Sequence, residues 1–237
     1  MLRVRPVVAT SDLPAAAGFL RTLGLHPAQE PVADDTCAMF DAGSGRVALR
    51  SCAPGSGEEG RAALAFDVGD VREFARRTVE AGTAVGLSRE GSLLTARIAA
   101  PDGTSFPAEE GPRETGAPAS PLAVLALWST PDVDLAARVL RDMGAKPRTG
   151  SAAGTPHDFQ AKNGGLVAVR AAARRGVGLA FEYDGDVRDL LGPLTAGGSE
   201  PVVSDGSNGW SLRVRAPWGT EVRIDERRGD VPGHTIS

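Results

Sequence analysis

AAPDGTSFPAEE, residues 99–110, returns as RAPWGTEVRIDE at residues 215–226, with Ala-Pro-x-Gly-Thr and a closing Glu in both copies. Each copy reads as a turn feeding a short strand, because Pro and Gly set the turn and the residues after it suit a pleated strand. The copies differ at one telling place: Pro107 in the first stands where Arg223 stands in the second. A proline in a strand cannot donate to the ladder, so Pro107 marks an edge position or a bulge.

The duplication extends through the chain. DAGSGRVALR (41–50) aligns with AKNGGLVAVR (161–170), and FDVGDVREFA from Phe66 aligns with FEYDGDVRDL from Phe181. LLTARIAAPDGT (93–104) aligns with GWSLRVRAPWGT (209–220), with Arg97 against Arg213. The spacing divides the chain into a first domain at 1–112, a linker at 113–120, a second domain at 121–230 and a tail at 231–237. The segment GPRETGAPAS (111–120) has the Pro, Gly and Ser content of a connection.

Each half is itself doubled. TSDLPAAAGFLRTLG (10–24) offers Ser11 or Asp12 as a helix cap, apolar residues at helical spacing and Gly24 as a stop. GDVREFARRTVEAG (69–82) and PDVDLAARVLRDMG (131–144) follow the same plan, and GDVRDLLGPLTAGG (185–198) follows it more weakly. Around these helices lie short apolar strands such as RVRPVVA, TCAMFDA, RVALRSC, AALAFDV and SLLTARIA. The pattern predicts an α+β fold of four tandem βαβββ units.

Composition narrows the class. With 237 residues, 41% of them hydrophobic, the chain can bury a sizeable core. A formal charge of -4 and the absence of a basic run exclude a nucleic-acid footprint. Cys37 and Cys52 give no disulfide framework or zinc motif and read as two small buried apolar residues. No leader or membrane-length apolar run is visible, so the expected address is the cytoplasm, with no membrane partner.

The order of these motifs resembles the vicinal oxygen chelate superfamily, which includes glyoxalase I, extradiol dioxygenases, fosfomycin-resistance enzymes and bleomycin-resistance proteins. The resemblance rests on the strand before Asp12 with its helix ending at Leu23-Gly24, on Phe66 to Arg72 with its helix ending at Ala81-Gly82, and on Ala100 to Thr104. It is met again at Asp132 to Gly144, Phe181 to Arg188 and Ala216 to Thr220. It implies two domains, each an eight-stranded U-shaped mixed sheet around a cleft with helices outside. Metalloenzymes of the family take a His from the first strand, a His from the fifth and a Glu from the last. Carried onto this chain, those positions hold Arg5, Ala63 and Pro107 in the first domain and Leu125, Gly178 and Arg223 in the second. Arg stays protonated and the others lack a donor, so neither set suits a divalent cation, and no metal or other cofactor is expected.

Other candidates carry less. GSGEEG (55–60) matches a dinucleotide fingerprint by letter, but a strand follows it instead of a helix, so it reads as a loop. His26, His157 and His234 are not spaced as ligands, and His157 beside Asp158 is a minor candidate for proton transfer. In TEVRIDE, Arg223 alternates with the apolar Val222 and Ile224, and Arg3 and Arg5 alternate with Leu2 and Val4, which puts guanidinium groups on one strand face. Such groups could grip a carboxylate or phenolate; a solvated strand face or an inter-strand ion pair is the competing reading.

The resemblance therefore implies a metal-free, glyoxalase-like binding protein of the bleomycin-resistance type that sequesters a drug or secondary metabolite in a cleft. Its ligand-binding residues are expected to be Arg5, Phe40, Phe159, Trp210 and Arg223, with no catalytic residue assigned. The alternative is an enzyme of the superfamily, a lyase, isomerase or dioxygenase, with displaced metal ligands or metal-free chemistry. A degenerate scaffold with filled clefts is a third reading. The expected partner is a small organic ligand. Because fusion imitates the dimer of single-domain relatives, a monomer fits, and a homodimer stays open.

Overall fold

The computed structural model describes residues 1–29, 36–148, 157–206 and 209–227. The first half contains β1 (Leu2–Val4), β2 (Val7–Thr10), α1 (Leu13–Thr22), β3 (His26–Pro27), β4 (Cys37–Asp41), β5 (Arg46–Ser51), β6 (Ala62–Ala63), β7 (Phe66–Val68), α2 (Val71–Ala81), β8 (Ala84–Glu90), β9 (Leu93–Ala99) and β10 (Ser105–Glu110). The second contains β11 (Leu122–Thr130), α3 (Val133–Asp142), β12 (Lys146–Pro147), β13 (Asp158–Gln160), β14 (Leu166–Ala171) and β15 (Gly176–Tyr183). A 3-10 turn (Val187–Leu190) then runs into α4 (Leu191–Ala196), followed by β16 (Val202–Gly206), β17 (Gly209–Arg215) and β18 (Glu221–Glu226). The tail at 231–237, with His234, lies outside the described residues.

The helices begin where the sequence caps them. Side chains of Asp12, Asp70 and Asp132 accept hydrogen bonds from the backbone N–H groups of Ala15, Glu73 and Leu135, each worth about 1 kcal/mol. The unit at 185–198 is shorter than its counterparts, a 3-10 turn and a six-residue helix, because Gly192 and Pro193 disfavour an α-helix interior.

In the second half the strands form one eight-stranded mixed sheet in the order β12-β13-β14-β11-β15-β18-β17-β16. Its β11/β14 and β15/β18 pairs are parallel, and the other pairs are antiparallel. The first half keeps the same neighbours but divides them into two five-stranded sheets, β3-β4-β5-β2-β6 and β1-β7-β10-β9-β8. The expected single sheet is thus found in the second half and corrected in the first. The cause is Pro6, which has no N–H to give the ladder. Leu2 pairs with Val68 on one side of the break and Val7 with Ala63 on the other, so the register runs through unchanged. Ala126 holds the corresponding place in β11, pairs with Leu179, and leaves that strand continuous. Pro107 sits where β10 is paired to β9 only, since pairing with β7 starts at Ala108. This is a local edge, without a bulge.

The two halves share their cores. Leu2, Val4, Phe66, Ile98 and Phe106 of the first half pack with Trp128, Leu140, Phe159 and Val169 of the second. Val8, Phe19, Leu20 and Leu49 pack with Leu122, Phe181, Leu212, Trp218 and Ile224. Helix α2 touches α3 and α1 touches α4, so the helices lie along the seam. Edge-on aromatic pairs cross it, Phe19 with Trp218 at 5.4 Å and Phe106 with Trp128 at 5.5 Å.

The seam is also hydrogen-bonded. The turn after β4 bonds to β11 through Ser44 N–H to Leu122 O (3.1 Å) and Val124 N–H to Ser44 O (2.8 Å). The turn after β13 reciprocates on β1, with Val4 N–H to Gly164 O (3.0 Å) and Asn163 N–H to Leu2 O (2.8 Å). Gly165 has a φ of +85°, and a Cβ there would lie 2.5 Å from the Val4 Cβ, so only glycine fits. Cys37 and Cys52, expected to be buried, are both half-exposed.

Candidate functional site

Alternation along β11 decides what each face of the second sheet carries. Val124, Ala126 and Trp128 point into the shared cores, and Leu125 joins Leu166, Ala168 and Ala180 in a separate apolar patch. That patch floors a cavity of about 450 Å³. Ser211, Arg213, Arg223 and Asp225 from β17 and β18 form one wall, and Arg148, Asp158 and Arg170 form the other.

Most charges on these walls are paired. Arg148 Nη1 lies 2.5 Å from Glu182 Oε1, and Arg170 Nη1 lies 2.6 Å from Asp158 Oδ1. Arg223 Nε donates to both oxygens of Asp225, at 2.7 and 2.8 Å, and the Ser211 hydroxyl donates to Asp225 Oδ1 at 2.5 Å. The Asp225 hydrogen bond holds the Arg223 pKa above its ordinary value, so Arg223 is a permanent cation. Glu226 accepts the Trp210 backbone N–H at 3.1 Å. Arg213 has no ion-pair partner among the described residues.

The equivalent face of the first half is filled. Strand register sets Arg5 at the place of Leu125, Arg46 at that of Leu166, Asp67 at that of Glu182 and Glu109 at that of Asp225. Arg46, 2% exposed, donates from Nε to Asp41 Oδ1 at 2.5 Å and lies 3.4 Å from Asp67 Oδ2. Arg5 Nη2 donates to Glu109 at 2.6 Å, while its Nε is 2.7 Å from Asp67 Oδ1 without hydrogen-bond alignment. Arg3 donates to the carbonyls of Pro112 and Arg113 at 2.8 Å and of Asn163 at 3.0 Å, so the connecting segment is stitched to this network. Arg5 and Arg46 thus stand where the second half has the apolar floor residues Leu125 and Leu166, and Arg3 and three carboxylates close the network around them.

This arrangement sorts the residues expected from sequence. Arg223 lines the second cleft. Arg5, expected as an anchor in the first, is buried among carboxylates of the fold itself. Phe40 and Phe159, expected as walls, are 2% and 0% exposed and lie beneath Arg21 and Arg141, whose guanidinium carbons are 5.9 and 5.5 Å from the ring centres, and of the two Phe159 borders the cavity. Trp210 borders the cavity, but it shares a face with Leu212 and Val214, and Arg188 covers its ring at 4.9 Å. Sequence reasoning did not single out Arg213, although its signal was present: it lies between the apolar Leu212 and Val214 as Arg223 lies between Val222 and Ile224.

The remaining motifs resolve into local structure. In GSGEEG the Gly55 N–H is taken by Glu59, which also accepts from the Ser11 hydroxyl, so this loop is tied to the chain itself. His157 contacts Asp134 at 3.1 Å, and Asp158 belongs to Arg170, so the two neighbours do not act together.

The metal that the resemblance implies does not fit the donors. Pairing of Leu125 with Ala180 and of Ala180 with Arg223 puts Leu125, Gly178 and Arg223 on the cleft face, and none offers a lone pair to a cation. Among the described residues, no three His, Cys, Asp or Glu side chains are grouped to hold a metal ion. No helix among them is long and apolar enough to cross a membrane.

No protein-family model matches the sequence, and no curated protein sequence does. Solved structures match across nearly the whole chain. A catechol 2,3-dioxygenase is 16% identical with a TM-score of 0.62, covering 98% of this chain and 94% of its own. The 2,3-dioxygenase LapB from Pseudomonas sp. KL28 is 14% identical with a TM-score of 0.65, covering 99% and 94%. The Mn(II)-bound glyoxalase from Novosphingobium aromaticivorans is 20% identical with a TM-score of 0.60, covering 97% and 82%.

Proposed function

We propose that this chain, which has the fold of the vicinal oxygen chelate proteins, binds a small organic molecule in the cleft of its second half without using the family's metal triad. The observation that carries this is the contrast between the two inner faces. One is closed by Arg5, Arg46, Asp41, Asp67 and Glu109, and the other surrounds about 450 Å³ over Leu125, Leu166 and Ala168. A concave site with an apolar floor and a few placed polar groups suits a small ligand. Residues 1–112 and 121–230 are read as two duplicated domains, with the first retained as a closed support. Arg223 is the anchor kept from the sequence reading.

Turnover is the second reading. The similar structures named above are dioxygenases and a glyoxalase, which supports an enzyme more than the sequestration of an antibiotic. With the triad positions lacking donors, such an enzyme would need a metal held elsewhere or chemistry without one. A thermal-shift screen of metabolites finds the ligand, because a molecule that binds only the folded state raises apparent stability. Product analysis of any hit then separates the readings: a binding protein returns its ligand unchanged. A stoichiometric divalent metal in protein purified without chelator would overturn the metal-free reading.

A further inference from the structure

Arg213 and Arg223 are direct cross-strand partners on β17 and β18, and both line the cavity. Like charges placed opposite each other on one sheet face repel, and a fold does not keep such a pair for its own stability. Elsewhere on the walls, each guanidinium has a carboxylate beside it. Here Asp225 is held at Arg223 Nε and by the Ser211 hydroxyl. Among the described residues, no hydrogen bond takes the Nη groups of Arg223 or any part of the Arg213 head. At the equivalent place in the first half Arg97 faces Pro107.

On this geometry we propose that Arg213 and Arg223 form an anion clamp, and that the ligand of the second cleft is a small organic anion whose carboxylate or phosphate bridges the two guanidinium groups. Its apolar body then lies on Leu125 and Leu166. Guanidinium groups suit this task because their planar donors meet both oxygens of an oxyanion. Arg223 occupies the place where the metalloenzyme pattern has its Glu, so the local charge is inverted: a position that would help hold a cation instead offers one to the ligand. The proposal rests on the reading of the second cleft as the ligand site and adds the ligand's chemical class to it.

The test is an NMR titration of isotopically labelled full-length protein with benzoate, inorganic phosphate and the neutral isostere benzamide. Arginine Nε signals and the methyl signals of Leu125 and Leu166 are followed. Benzoate is expected to shift Arg213, Arg223 and both leucines saturably, phosphate only the arginines, and benzamide to bind at least tenfold more weakly than benzoate. Arg213→Gln and Arg223→Gln should each weaken benzoate at least tenfold, and Arg213→Lys should recover part of the loss. Both side chains are exposed on a strand face, so folding of the variants is checked by unchanged methyl spectra. If benzamide matches benzoate, or if Arg213→Gln binds benzoate undiminished, the clamp is wrong and the cleft still binds. If no probe shifts any signal lining the cleft, the ligand site falls and the clamp with it.

Discussion

Replacing Arg5 by Leu installs in the first half the residue that the second half carries at Leu125. The account predicts loss of stability without loss of binding. Arg5 is 7% exposed and supplies the contacts at 2.7 Å to Asp67 and 2.6 Å to Glu109. Removing one member of a buried ion pair costs roughly 3–5 kcal/mol, because the partner is left charged and out of water. Asp67 keeps Arg46 at 3.4 Å and Arg3 at 3.8 Å, and Glu109 reaches solvent, so the lower end applies, about 3 kcal/mol. With an unfolding entropy of roughly 2.1 cal/mol/K per residue, a chain of this length loses about 6 °C in Tm. Differential scanning calorimetry and urea unfolding of Arg5→Leu measure this, with wild-type and Arg5→Leu, Glu109→Gln proteins beside it. The double variant should lose less than the sum of the single losses. A Tm within 1 °C of wild type would refute the ion network as a buried, coupled plug. A loss of ligand affinity in a folded Arg5→Leu protein would return Arg5 to the binding site.

Further predictions follow from single contacts. Gly165→Ala should destabilise by about 2–4 kcal/mol, since the new Cβ meets Val4 at 2.5 Å and the backbone has positive φ; urea unfolding measures it. Arg213→Gln should keep or raise the stability of the ligand-free protein, by about 0.2–1 kcal/mol, because it relieves the repulsion across β17 and β18. Tyr183, the sole tyrosine, has its pKa raised above 10.0 by burial first and then by the carboxylates of Asp189 and Asp186. Absorbance at the phenolate band should therefore titrate above the ordinary value in native protein and at it in denaturant. The neutral phenol then favours the folded state at pH values below 10, and that contribution is lost as pH rises through the folded pKa.

What was legible in the sequence was whatever local chemistry fixes. The Asp caps, the Gly stops and the Ala-Pro-x-Gly-Thr turns each carry their own geometry, so the duplication and the strand register at Arg5, Pro107 and Arg223 could be read directly. Strand β8 escaped because nearly all its side chains are exposed, which leaves no alternation to read. The alignment of Asp41 with Ala161 slipped by one, since Phe40 pairs with Val47 as Phe159 pairs with Val167, which makes Gln160 the counterpart of Asp41. For the site, alternation correctly put arginines on one strand face. It could not say that Asp67 and Glu109 would come from distant strands to neutralise Arg5, nor that among the described residues no carboxylate would reach Arg213. Phe40 and Phe159 are buried because the same alternation that exposes one face of a strand turns its neighbours into the core, although Phe159 still borders the open cavity.

The most direct test of the account is hydrogen exchange of the whole chain with a saturating ligand taken from the metabolite screen. The account predicts slowed exchange in the strands that line the open cleft, β14, β17 and β18, with β1 and β5 unchanged. Slowed exchange in β1 and β5, around Arg5 and Arg46, with none in β17 and β18, would contradict it.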